Sequence, residues 1–117
     1  MNSKRALWNI VFLVMILINV GCDQVSKQIV REKVQPYETI RLISSYFTLT
    51  KVENTGAFLS LGSAMPDFIK FILLSIIPLM ALSYGIVYMV TRKNLSKLSK
   101  LALSFAIGGG IGNIYDR

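Results

Sequence analysis

Residues 68–90 read FIKFILLSIIPLMALSYGIVYMV, Phe68 to Val90. A helix that crosses a hydrocarbon core of ~30 Å needs ~20 apolar residues. This stretch meets that length and carries one charge, Lys70, near its start. It has no polar face at helical spacing, which sets it apart from the half-buried helix of a soluble bundle. Pro78 lies inside it and is expected to kink the helix. A membrane helix tolerates that better than a soluble one, because neighbouring groups re-satisfy the freed backbone.

Two shorter apolar runs flank it. The first is Ala6 to Cys22, interrupted by Asn9 and Asn19; the other begins near Leu98 and continues through Gly112 toward Tyr115, with Lys100 at its edge. Both reach spanning length with their flanks, provided Lys4, Arg5 and Lys100 snorkel to the interface. The expected fold is a membrane all-α bundle with three transmembrane helices, at about 6–23, 68–90 and 98–115, in one integral membrane domain over 1–117. A hydrophobic fraction of 53% and a mean hydropathy of +0.54 agree with it.

Charge orients the bundle. Lys4 and Arg5 precede the first run, and Arg92, Lys93, Lys97 and Lys100 fall between the second and third with no acid among them. In the segment from Asp23 to Asp67 the charges balance. By the positive-inside rule the N-terminus and loop 91–97 are cytoplasmic and 24–67 is extracytoplasmic. The net charge of +7 is then a topology signal and not a nucleic-acid footprint. Within the outer segment, Ile43 to Val52 is rich in β-branched and aromatic residues with partial alternation, the mark of one or two short strands. Asn54-Thr55-Gly56 follows as a turn. A small extracytoplasmic β element is therefore expected.

The chain has no histidine and one cysteine, Cys22. That excludes His-based triads, an intrachain disulfide and a thiolate or imidazole metal site; no metal or cofactor is expected. Topology brings the remaining polar groups together. The third run heads outward from Lys100, and Asp116 lies ~24 Å further on at ~1.5 Å per residue. Asp23, Asn54, Asn113 and Asp116 therefore converge at one depth on the outer side. Each could simply cap a helix or mark the interface. An ionisable group beside a membrane segment is nonetheless a functional candidate by default, since desolvating its charge is costly.

Three motifs carry these residues: Asp23-Gln24-Val25-Ser26-Lys27, Glu53-Asn54-Thr55-Gly56-Ala57-Phe58, and Gly108-Gly109-Gly110-Ile111-Gly112-Asn113-Ile114-Tyr115-Asp116-Arg117. They resemble the Asp-x-x-Ser/Thr-Lys, Asn-x-Gly-Ala and Gly-Gly-x-x-Gly-Asn-x-x-Asp-Arg motifs of lipoprotein signal peptidase (signal peptidase II), in the family's order and over the whole chain. Gly110 stands where alanine is common, and Ala57-Phe58-Leu59 where Ala-Ala-Phe is common; neither position carries chemistry. The family has four spans and two catalytic aspartates. Asp116 matches the first aspartate. The second belongs to an Asn-x-Ala-Asp motif that this sequence does not contain, so the chain looks like the N-terminal three-quarters of the enzyme and is expected to be inactive alone.

The resemblance implies an aspartic endopeptidase of the bacterial cytoplasmic membrane, its site at the outer leaflet. It would remove signal peptides from prolipoproteins just before a diacylglyceryl-modified cysteine. Two carboxylates and one water can hydrolyse a peptide: one takes the water's proton and the other, protonated, polarises the carbonyl. On this resemblance Asp116 is expected to take a catalytic part, and Asp23, Lys27, Asn54, Gly56, Asn113 and Arg117 are expected to support the site or bind substrate. The expected partners are lipid-modified prolipoproteins and membrane lipids, with no nucleic acid, and the protein is expected to be a monomer. Two rivals stand beside this. Asn19-Val20-Gly21-Cys22 could be a lipobox, which would make the chain itself a lipoprotein precursor modified at Cys22. The chain could also be a non-enzymatic membrane scaffold.

Overall fold

The computed structural model describes residues 2–53 and 62–117. Helix α1 runs over Ser3–Lys33, and a two-stranded antiparallel hairpin follows, β1 (Thr39–Ile43) and β2 (Phe47–Thr50). Next come α2 (Asp67–Phe71), a π-helical turn (Ile72–Ile76), α3 (Ile77–Thr91) and α4 (Lys97–Tyr115). The fold is thus mostly helical with one small β element.

Helix α1 outlasts its apolar run by ten residues beyond Asp23. Residues 24–33 are polar but hold no proline or glycine, so nothing in them breaks a helix. Arg31 and Lys33 in the last turn suit the negative end of the helix dipole. Pro78 opens α3 directly after the π-helical turn. There the N–H of Ile77 reaches back to the carbonyl of Ile72, five residues away. The wider turn makes room where a proline ring would crowd the carbonyl four residues before it.

Among the described residues, two helices are long and apolar enough to cross a membrane: Ser3–Lys33 and the continuous Asp67–Thr91. Their apolar windows are 17% and 6% buried, with Leu7, Leu17, Ile18, Leu79, Met80 and Val87 on the outside. A soluble protein does not leave such a surface in water, and it fits a membrane protein. The third expected span, α4, is a helix of 19 residues but is not among them. Lys97, Lys100, Asn113 and four glycines dilute its apolar content.

Helix α4 packs against both α1 and α3. The core lies where the three meet, at Phe12, Ile16, Met89 and Ile107. Along α4 the buried residues are Lys100, Ser104, Ile107, Gly108 and Gly112, a stripe at helical spacing. A Cβ on Gly108 would stand 2.6 Å from the Asn19 Cβ and 3.3 Å from the Ile16 carbonyl oxygen, so this glycine sets how closely α1 and α4 approach. Gly110 faces the other way, where a Cβ would come within 2.7 Å of Leu82 on α3.

The hairpin begins earlier than the expected strand region of 43–52. Thr39 pairs with Thr50, Ile40 with Leu49 and Arg41 with Thr48; a bulge at Leu42 then sets Ile43 opposite Phe47. The Ser44-Ser45-Tyr46 stretch, which reads as strand by composition, is the turn. Ser44 takes a positive φ of 50°, and the Tyr46 N–H bonds the Ile43 carbonyl at 3.1 Å. The proposed turn at Asn54-Thr55-Gly56 lies outside the described residues, as do the site candidates Asn54 and Gly56.

At the opposite end, Lys100 does not snorkel. It is buried, and its ammonium bonds the Asn9 Oδ1 at 2.7 Å. The Asn9 amide in turn bonds the Val90 carbonyl at 3.1 Å. Arg5 donates to the same carbonyl at 3.1 Å and to that of Thr91. These carbonyls end α3 and have no partner within the helix. A cation near them satisfies both the hydrogen bond and the dipole.

Candidate active site

The polar tail of α1 and the last turn of α4 lie side by side. On α1, Asp23, Lys27 and Arg31 recur every four residues, so they share one helical face. On α4, Asp116 follows the last residue of the helix, its N–H bonding the Gly112 carbonyl at 3.2 Å. A carboxylate at a helix C-terminus meets the negative end of the dipole, so it needs cations nearby, and α1 supplies them.

Lys27 joins the two aspartates. Its ammonium bonds the Asp23 Oδ2 at 2.7 Å and also the Asp116 Oδ2. Arg31 reaches the Asp116 Oδ1 at 3.3 Å. The Gln24 side-chain amide donates to Asp23 Oδ2 at 3.2 Å, to Asp116 Oδ1 at 3.2 Å and to the Gly112 carbonyl at 3.3 Å. Gly112 makes the junction possible, because a Cβ there would run into the Asp23 carboxylate. Burial pushes the Asp116 carboxyl up. The hydrogen bonds from Lys27, Gln24 and Arg31 outweigh it and hold the group below the usual carboxylate range.

Asp116 stands on the wall of a cleft of about 1050 Å³. Asn113 and Arg117 line the same cleft, and α2, the π-helical turn and α3 add the apolar side chains Phe71, Leu74 and Leu79 beside the charged Asp67 and Lys70. The site thus combines charged, amide and apolar groups in one opening. Of the candidates read from sequence, Asp23, Lys27, Asn113, Asp116 and Arg117 come together at this end of the molecule. Among the described residues no cluster of His, Cys, Asp and Glu could hold a metal.

Sequence reasoning missed Gln24 and Arg31. The signal for Arg31 was present in the four-residue spacing Asp23, Lys27, Arg31, but only for a helix carried past Cys22. Gln24 has no such spacing signal; its role depends on how closely α4 approaches. Cys22 is exposed in the middle of the unbroken α1.

Residues 14–117 match the family model described as Signal peptidase (SPase) II. The chain is 34% identical over 105 residues to the lipoprotein signal peptidase of Clostridium acetobutylicum, covering 90% of this chain and 65% of that protein. It is 36% identical over 117 residues to the lipoprotein signal peptidase of Borrelia duttonii, covering 99% of this chain and 66% of the relative. A relative with the same description from Neisseria meningitidis serogroup C is 32% identical over 116 residues, with coverage of 99% and 66%. The chain therefore spans about two-thirds of the length of the curated relatives it matches, less than the three-quarters expected. No solved structure matches it significantly.

Proposed function

The chain belongs to the signal peptidase II family, and from that premise we propose that it forms the greater part of a membrane aspartic endopeptidase acting on bacterial prolipoproteins. Its substrate is a precursor whose future N-terminal cysteine already carries diacylglycerol, and it cleaves just before that cysteine. The observation that carries the proposal is the placement of Asp116 on a cleft that joins charged groups to the apolar side chains Phe71, Leu74 and Leu79. A lipidated peptide offers both a scissile amide and acyl chains, and such a cleft suits the two together.

In the reaction, a water molecule attacks the scissile carbonyl carbon. One carboxylate accepts the water's proton while a protonated carboxyl donates to the carbonyl oxygen. Breaking the C–N bond then releases a peptide acid and the amine of the lipidated cysteine, which takes up a proton. Asp116, held below the usual carboxylate range, is the ionised partner that takes the proton. Asp23 is not the second member. A shared lysine lies between it and Asp116, so the two carboxylates are bridged by a cation, whereas a catalytic pair shares one proton directly. We assign the second role to a carboxylate outside these residues, and to Asp23, Lys27, Asn54, Gly56, Asn113 and Arg117 the shaping of the site and the holding of substrate.

The topology belongs to the same proposal. Helix α4 is the third span, packed between the other two, the site faces the outer leaflet of the cytoplasmic membrane, and loop 91–97 is cytoplasmic. The lipoprotein-precursor alternative is disfavoured by Cys22 itself, since cleavage before it would cut α1 in mid-helix and separate Asn9 and Phe12 from Asp23. Incubating the purified full-length protein with a diacylglyceryl-modified signal peptide and with its unlipidated twin tests the function. Mass spectrometry should find a new N-terminal lipidated cysteine from the first and nothing from the second. Equal cleavage of both, or of neither, would overturn the substrate assignment.

A further inference from the structure

The Gln24 side chain sits where three acceptors meet. Its nitrogen lies 3.2 Å from Asp23 Oδ2, 3.2 Å from Asp116 Oδ1 and 3.3 Å from the Gly112 carbonyl oxygen. Two carboxylate oxygens and a peptide carbonyl call for a donor, so the amide nitrogen and not its oxygen faces them. The Gly112 carbonyl is also the acceptor for the main-chain N–H of Asp116. Gln24 therefore grips Asp116 twice, at one carboxylate oxygen and at the peptide that anchors its backbone. It brings no charge, in contrast to Lys27 and Arg31, which also bond Asp116.

From this geometry we propose that Gln24 is a positioning residue for Asp116, fixing the direction of its carboxylate and, through Asp23, tying that direction to α1. The proposal rests on the catalytic role given to Asp116 above. Lys27 alone cannot do this. An ammonium on a four-carbon stem is a rotatable point charge, and it is shared between two carboxylates. Arg31 is half exposed and reaches Asp116 from the far side of Lys27 in the sequence, one turn further along α1. The planar amide of Gln24, lodged against the α4 backbone, is the contact that restricts rotation.

Positioning and titration are linked, because a donor to the ionised carboxylate favours that form. The charged groups around Asp116 are Asp23, Lys27 and Arg31 from α1, Arg117 beside it, Lys51 and Glu53 after the hairpin, and Asp67 and Lys70 from α2 across the cleft. None of these changes when Gln24 is replaced by an apolar side chain of similar length.

The test uses the full-length protein in membranes, the lipidated substrate, and the variants Gln24→Met, Gln24→Asn and Asp116→Asn. Gln24→Met keeps length and removes the donor. Its kcat should fall roughly tenfold, the usual worth of a hydrogen bond to a charged group, with KM unchanged. The acid limb of its pH–rate profile should move to higher pH. Gln24→Asn, with a donor on a shorter arm, should recover part of the rate and bring the limb back toward the parent. A purely structural role would lower the amount of folded protein and leave the limb in place. Should Gln24→Met fail to fold, the limb of Gln24→Asn decides between the two. An unmoved limb with parental kcat overturns the proposal for Gln24 while an inactive Asp116→Asn leaves the catalytic reading standing. An active Asp116→Asn overturns the catalytic reading itself.

Discussion

The two ends of the bundle each hold a polar cluster, and the clusters obey different rules. At one end Asp23 and Asp116 face Lys27 and Arg31, with Gln24 between. At the other end Arg5 and Lys100 are held by an asparagine amide and by helix-end carbonyls. All six acids of the chain lie at 23–67 or at Asp116, and none accompanies Lys4, Arg5, Arg92, Lys93, Lys97 or Lys100. The Lys100 cluster satisfies neutral orphan groups and ties three helices together. The Asp116 cluster gathers charges that would repel or be desolvated without each other, around a cleft. Charges balanced against each other at a cavity suit chemistry, whereas cations spent on backbone carbonyls suit structure.

That contrast can be broken most sharply by topology, where the outcome is all or none. In a Cys22→Ser background, cysteines at Ser45 and at Asn94 should differ completely toward an impermeant thiol reagent applied to intact cells. Ser45→Cys should label and Asn94→Cys should not. Labelling of position 94 from outside would place both clusters on the wrong sides.

The next contrast is in rate. Lys27→Met removes the cation shared by both aspartates and should slow cleavage by the full-length protein roughly 10- to 100-fold, as expected for losing a charge-assisted hydrogen bond. Lys100→Met should stay within about threefold of the parent. If the two variants lose rate equally, the division between a chemical and a structural end fails.

A third contrast is in stability at the Lys100 end. Asn9→Leu leaves the Lys100 ammonium buried without a partner and should cost about 2–4 kcal/mol. Lys100→Met should cost less, and adding it to Asn9→Leu should restore part of the loss, as a double-mutant cycle by thermal unfolding in detergent would record. Additive losses would show that the two side chains do not interact.

The smallest contrast lies within one motif. Gly108→Ala meets Asn19 and the Ile16 carbonyl and should cost about 1–3 kcal/mol. Nothing lies within 4 Å of a Cβ at Gly109, so Gly109→Ala should be neutral or stabilise by up to ~1 kcal/mol. Equal melting temperatures for the two would remove the close α1–α4 approach on which the site depends.

Much of this was legible in the sequence, and what was not has physical causes. The apolar runs, the β element and the convergence of Asp23 with Asp116 follow from periodicity, length and charge. The tail of α1 was hidden because hydropathy marks where a run leaves lipid, whereas the helix itself ends only where its residues stop favouring one. The hairpin turn was hidden because Ser44 adopts a left-handed conformation that its type does not announce. Lys100 was read as a snorkelling anchor because its flank is polar. Its burial depends on Asn9, 91 residues away in sequence. Gln24 was passed over for the same reason: its partners on α4 become visible only once the two helices are docked at Gly108 and Gly112.

The central claim is that Asp116 performs chemistry and Asp23 shapes the site around it. Its most direct test is the residual rate of lipidated-peptide cleavage by full-length Asp116→Asn and Asp23→Asn at equal amounts of folded protein. Asparagine keeps the size of the side chain but cannot exchange the proton. Asp116→Asn should lose ~10²–10⁴ in rate and more if two carboxylates act as a unit, while Asp23→Asn keeps a larger residual rate. Near-parental cleavage by Asp116→Asn would contradict the account.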